Sequence, residues 1–190
     1  SGLPMVPENL RNPLNTTTYG TGELIRDALD RGFSNISVAL GGSATNAGGM
    51  GAMSALGVKF LDKDGNVLDG KGSDLEKVAS VDVSGLHPAV AETKFTVMCD
   101  VNNPLTGPDG ATYTFGKQKG GTPEILDRLE AGMKSYAKVA GEALGKDIDH
   151  IAGAGAAGGM GAALCGFLNA GLKSGIETVL DLIGFDEMLE

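Results

Sequence analysis

Two stretches of the chain constrain its fold more than any others: Gly41-Gly42-Ser43-Ala44-Thr45-Asn46-Ala47-Gly48-Gly49 and Gly153-Ala154-Gly155-Ala156-Ala157-Gly158-Gly159-Met160-Gly161. Each is followed by small and apolar residues at helical spacing. Glycine supplies 31 of 190 residues, about twice its usual share of roughly 7%. A flexible linker would spread such residues, whereas here they are concentrated. Ordering glycine costs more entropy than ordering any other residue, so dense glycine in a packed domain points to backbone that turns sharply or approaches something closely.

The surrounding sequence supplies strands and helices to hold these blocks. Thr21 reads as the cap of a helix through about Arg31, with Gly32 as its stop. The β-branched run Asn35 to Leu40 reads as a strand that feeds the first glycine block, and a helix from Ala47 through Leu56 follows, ended by Gly57. Lys63-Asp64-Gly65 between two apolar runs predicts a hairpin turn. Lys94 to Cys99 alternates as a strand, and the prolines and glycines from 101 to 110 make the next segment a loop. Thr122, Pro123 and Glu124 open a long amphipathic helix that ends near Leu144 with Gly145 as its cap, and Leu126, Leu129, Met133, Tyr136 and Ala140 form its apolar face. The second glycine block opens a helix through about Ala170, and Ile176 to Ile183 fits either a helix or a strand. No repeat or long linker divides the chain. The expectation is a single mixed-sheet α/β domain over residues 1–190, with helices packed on the sheet.

Charge and composition remove several functions. Asp and Glu outnumber Lys and Arg by 24 to 15, which leaves no electrostatic footprint for nucleic acid. No apolar run is long enough for a membrane helix and no signal peptide opens the sequence, so a cytoplasmic location is expected. Cys99 and Cys165 sit among apolar neighbours and read as small buried hydrophobes. His87 and His150 lie outside any zinc-ligand or Ser-His-Asp pattern.

A glycine-rich loop between a strand and a helix aims backbone N–H groups at the positive end of a helix dipole, a natural site for phosphate or carboxylate. The block at 41–49 lacks the Gly-Lys-Ser/Thr ending of a Walker A loop but carries Ser43, Thr45 and Asn46 as short polar side chains, and a tight structural turn is the alternative reading. Gly153, Gly155 and Gly158 match Gly-x-Gly-x-x-Gly, with Ile148 to Ile151 as a conceivable preceding strand and Glu177 or Asp181 downstream, the pattern of a nicotinamide-dependent oxidoreductase. Asp100, at a strand's end, suits Mg²⁺ binding, acceptance of a substrate proton, or the capping of a turn. Tyr113, Lys117, Gln118 and Lys119 form a polar cluster that reads as a phosphate contact or as solvated surface.

Five motifs, in order, resemble the bacterial glycerate 2-kinase family: Thr17-Thr18-Tyr19-Gly20-Thr21-Gly22-Glu23, the first glycine block, Cys99 through Pro108, Phe115-Gly116-Lys117-Gln118-Lys119-Gly120, and Gly153 through Gly159. The resemblance implies ATP-dependent phosphorylation of D-glycerate with Mg²⁺, by enzymes in which both chain ends form a Rossmann-like domain and a second α/β domain is inserted between them. This sequence is similar to the inserted domain, without the family's Asp-Ser-Phe-Lys-Gly and Gly-Glu-Gly segments. It departs from the family at Ala47, where Asp is usual, and at Asn102, where Asp is frequent. The resemblance further implies Asp100 (with Mg²⁺), Asn46 and Lys119 as catalytic candidates, and Gly41, Gly42, Ser43, Thr45, Gly155, Gly158 and Gly159 as substrate contacts. It also implies that the domain is inactive alone and binds no cofactor tightly. A non-catalytic binding or oligomerisation domain is the alternative from a different class.

Overall fold

The computed structural model describes residues 2–185 and Met188. In chain order its elements are α1 (Tyr19–Asp30), β1 (Asn35–Ala39), α2 (Met50–Ala55), β2 (Lys59–Leu61), β3 (Ser80–Asp82), β4 (Lys94–Met98), α3 (Ala111–Phe115), α4 (Pro123–Leu144), α5 (Ala156–Leu168), β5 (Gly171–Lys173) and α6 (Gly175–Ile183). The chain is α/β, with helices packed on a sheet of order β1-β4-β5. Both strand pairs are parallel: Ala39 lies opposite Met98, and Met98 opposite Lys173. The strands do not all join one sheet, because β2 and β3 form a separate antiparallel pair. Among the described residues no helix is long and apolar enough to cross a membrane.

Local signals set most element ends. Thr122 caps α4 by accepting a hydrogen bond from the Ile125 N–H, Pro123 occupies its first position, and Gly145 ends it in the left-handed conformation. Thr21 does not cap α1. The helix starts two residues earlier, at Tyr19, and the Thr18 hydroxyl accepts the Ala52 N–H, which ties α1 to α2. Helix α2 likewise starts at Met50, later than its apolar pattern suggests, because Gly48 and Gly49 are left-handed (φ 59° and 72°) and cannot extend a right-handed helix backwards. The expected hairpin turn forms at Lys63 to Gly65, with Leu61 bridged to Val67. The segment Ile148 to Ile151 is irregular, a bend at 149–151 and not a strand.

The core fills the space between sheet and helices with Met50, Met53, Phe60, Val97, Leu129 and Met133 among its buried residues. Phe60 sits between Tyr136 and Phe167, ring centroids 6.0 and 5.9 Å away. These tilted aromatic contacts fix α4 and α5 relative to the β2–β3 pair. A 580 Å³ groove lined by Leu86, Val90, Phe95 and Phe167 lies along β4.

Candidate active site

Because β1, β4 and β5 run parallel, the loops after Ala39, Met98 and Lys173 leave the sheet at one edge. That carboxyl edge is where open α/β sheets usually hold ligands. The first of these loops is the glycine block at 41–49. It is fixed from three sides: the Thr16 hydroxyl donates to the Ala44 carbonyl, the Gly48 N–H donates to the Gly158 carbonyl at 3.0 Å, and the buried Tyr136 hydroxyl donates to the Gly48 carbonyl at 2.8 Å. Burial in this apolar setting pushes the Tyr136 phenol well above its ordinary pKa, so it remains a neutral donor. The loop after β4 is anchored separately. Asp149 accepts from the Thr106 N–H and hydroxyl, and the buried Glu130 carboxylate accepts from the Gly107 N–H at 2.7 Å.

Lys119 closes the site from below. It lies in a single 3-10 turn after α3 and is only 2% exposed, whereas Lys117 and Gln118 beside it face solvent. Its ammonium donates to the Thr45 carbonyl at 2.7 Å and to Ser43 Oγ at 3.1 Å. Among the described residues it has no carboxylate partner, and burial alone lowers its pKa from 10.5 to about 8. A cation removed from water without a counter-ion is an open electrostatic demand. It faces a recess of about 200 Å³ lined also by Gly41, Gly42, Ser43, Gln118 and Ala157. The backbone N–H groups of Thr45, Asn46 and Ala47 find no acceptor among the described residues. An anion in the recess would answer the lysine's demand, whereas Asn46 and Ala47 do not line it.

The structure therefore gathers Gly41, Gly42, Ser43, Thr45 and Lys119, and not the other expected residues. Asn46 is wholly buried, where its amide donates to the Thr112 hydroxyl and its Oδ1 has no partner. Gly155, Gly158 and Gly159 are buried behind the loop and line neither recess beside it. Close packing is the reason: a Cβ on Gly158 would lie 2.0 Å from the Thr45 carbonyl oxygen, and one on Gly155 would lie 2.3 Å from that of Pro104. From this block only Ala156 and Ala157 reach the recess. Ala157 holds an unusual backbone for a residue with a side chain, since 157, 158 and 159 are all left-handed at φ 52°, 69° and 93°. Strain of this kind tends to be kept where a site depends on it.

Asp100 lies apart. Its Oδ1 accepts from the Gly175 N–H at 2.9 Å and from the Ser174 hydroxyl, so it caps α6. It lines a different, open depression of about 700 Å³ with Glu177, Asp181 and Lys173. Lys173 is already paired with Asp181. Among the described residues no group of three His, Cys, Asp or Glu side chains could hold a metal ion. Cys99 and Cys165 are half-buried, and burial with Cys99 nearby raises the Cys165 thiol. His87 and His150 pair with Asp30 and Asp147 at the surface.

A second recess of about 240 Å³ adjoins the first and was not foreseen as a unit. Thr17, Thr18, Thr21 and Thr45 line it, and it shares Leu40, Gly41, Ser43 and Ala157 with the lysine recess. The signal available in sequence was the three threonines of the 17–21 motif.

The site is thus a glycine loop that follows a parallel strand and covers a buried lysine with no carboxylate partner among the described residues. Comparison makes this specific, and the chain belongs to the glycerate kinase family, whose sequence profile matches residues 1–190. It is 48% identical over 190 residues to a glycerate kinase from Bacillus subtilis (strain 168), covering 100% of this chain and 50% of that protein. Identity to the glycerate 2-kinase of Escherichia coli (strain K12) is 48% over 187 residues, 98% of this chain and 49% of that one. The crystal structure of a glycerate kinase 2 from Salmonella typhimurium LT2 superposes with a TM-score of 0.93 at 50% identity, covering 95% of this chain and 48% of that chain. The chain thus spans about half the length of the curated relatives it matches.

Proposed function

We propose that this chain is the acid-holding part of an ATP-dependent kinase that phosphorylates D-glycerate, and that Lys119 receives the substrate carboxylate. The observation that carries the reading is the buried Lys119 ammonium, held by Ser43 and the Thr45 carbonyl with no carboxylate partner, at the floor of a recess of about 200 Å³. That space is below the roughly 300–1,000 Å³ of sites for larger ligands, so it suits a three-carbon acid better than a nucleotide. The family relationship supports glycerate as the acid and ATP as the donor. When bound, ATP would supply the phosphoryl group.

This chain's own residues bind and orient. Lys119 neutralises the carboxylate, and Ser43 and Thr45 fix the ammonium. Phosphoryl transfer depends mainly on such positioning and on charge stabilisation. Donor and metal would be held by the remainder of a family-length protein, described in the resemblance as a Rossmann-like domain, and Asp100 is left as the cap of α6.

Two measurements test this. Calorimetric titration at pH 7 should detect D-glycerate binding that Lys119→Met abolishes; unchanged binding by that variant would sink the assignment. In a phosphoglycerate assay with Mg-ATP, the chain alone should give no product, with or without Ala47→Asp. Product should form when Ala47→Asp is placed in a family-length protein. Turnover by the unmodified chain near the usual rate of about 1–100 s⁻¹ would mean that the donor site lies in this half after all.

A further inference from the structure

The threonine recess has no part in the proposed handling of the carboxylate, and its chemistry differs from that of its neighbour. Among the described residues no ionisable side chain lines it: the lining includes Thr17, Thr18, Thr21, Thr45, Gly41 and Ser43, with Val38 and Met160. Thr45 is only 7% exposed, and its hydroxyl, which makes no hydrogen bond among the described residues, is not sealed off but stays accessible. The Thr21 hydroxyl also has none. Those of Thr17 and Thr18 accept from the Tyr19 and Ala52 N–H groups, which leaves each hydroxyl proton to donate. A ligand that enters the recess displaces the water these hydroxyls would otherwise bond, so it must supply hydrogen bonds of its own.

We infer that this recess is a hydroxyl-reading subsite that selects a polyhydroxy acid over acids lacking a hydroxyl. The inference rests on the proposed carboxylate site at Lys119. Thr45 joins the two sites, since its carbonyl holds Lys119 and the residue also lines the threonine recess. A carboxylate can only accept, so the lysine recess takes that end of the ligand. A ligand hydroxyl both donates and accepts, as each threonine does, so a neutral recess of hydroxyls takes the other end. An acid without that hydroxyl would leave Thr21 and Thr45 unpaired behind it, and such a mismatch discriminates more strongly than a lost methylene.

The test is calorimetric titration of the chain with D-glycerate, with D-lactate (no 3-hydroxyl) and with 3-hydroxypropionate (no 2-hydroxyl). The wild-type chain should bind D-glycerate about tenfold or more tighter than at least one of these analogues. Thr21→Val and Thr45→Val should lower D-glycerate affinity towards that of the disfavoured analogue and leave the analogue's affinity within about twofold. Thr45→Ser, which keeps the hydroxyl, should restore discrimination, and circular dichroism melts establish that each variant is folded. Equal affinity for all three acids, with binding still dependent on Lys119, overturns the hydroxyl subsite alone. Threonine variants that weaken every acid equally also overturn it, because they point to a packing role. If no acid binds, the Lys119 reading fails and this inference falls with it.

Discussion

Lys119 and Thr45, 74 positions apart in the chain, meet through a 2.7 Å hydrogen bond from the lysine ammonium to the threonine carbonyl. The contact sets the cation beneath the glycine loop, and it makes the lysine's proton a reporter of both folding and binding.

The first prediction concerns that proton. The folded-state pKa is about 8 against an ordinary 10.5. Below pH 8 both folded and unfolded chains hold the proton and the cost of burying the cation is felt in full. Between pH 8 and 10.5 the unfolded chain holds a proton the folded chain has lost, so stability rises with pH in this window. The gain should approach about 3 kcal/mol by the upper end. Urea unfolding at pH 7.5 and 10 should show it as a difference between wild type and Lys119→Met; parallel pH profiles would contradict the burial of the ammonium. A bound anion favours the charged form, so D-glycerate affinity should fall above pH 8 and binding there should take up protons.

The left-handed run at 157–159 makes a prediction of opposite signs at adjacent positions. Ala157→Gly removes the left-handed penalty of about 1–2 kcal/mol against an added unfolded-state entropy of about 0.4–1 kcal/mol, so a modest stabilisation is expected. Gly158→Ala drives a methyl into the Thr45 carbonyl, at 2.0 Å, while keeping φ at 69°. It should cost more than about 3 kcal/mol or prevent folding. Thermal melts of the two variants check both signs.

Asp100 should behave as a cap. Asp100→Ala removes the acceptor for the Gly175 N–H and should lower stability by about 0.5–2 kcal/mol, with fraying confined to α6 in hydrogen exchange. D-glycerate affinity of the chain should stay within about twofold, as the two recesses beside the glycine loop do not include Asp100. A large loss of affinity without loss of stability would return Asp100 to the acid site.

No tight nicotinamide dinucleotide binding is expected. Gly153, Gly155 and Gly158 follow turn and bend instead of a strand, and their faces are closed by Val101, Pro104 and Thr45. A fluorescence titration with NADH reaching micromolar affinity would contradict this.

What could be read from sequence was whatever is written locally. Thr122, Pro123 and Gly145 mark α4 at both ends because capping involves neighbours only. Asn35 to Ala39 and Lys94 to Met98 announce themselves by β-branched and alternating residues. Strand β5 was hidden, since Gly171-Leu172-Lys173 has no pattern and owes its conformation to pairing with β4. At the site, Lys117 and Lys119 are alike in sequence, and only packing from the glycine loop buries one of them. Asn46 shows what sequence cannot place: its amide N–H donates to Thr112, 66 positions away, a pairing that only the fold creates. The second glycine block was legible as close approach, though what it approaches is the first block.

That mutual dependence bears on how the protein comes off the ribosome. The Gly48 N–H waits for the Gly158 carbonyl and the Gly48 carbonyl for the Tyr136 hydroxyl, so the loop is fully tied only after most of the chain has been made. At about 5–20 residues per second, several seconds to about 20 s separate the appearance of the loop from that of its last partner. Through that interval Met50 and Met53, wholly buried in the finished fold, lack their α5 neighbours, so the nascent chain carries an uncovered apolar, glycine-hinged segment until the second glycine block has been made.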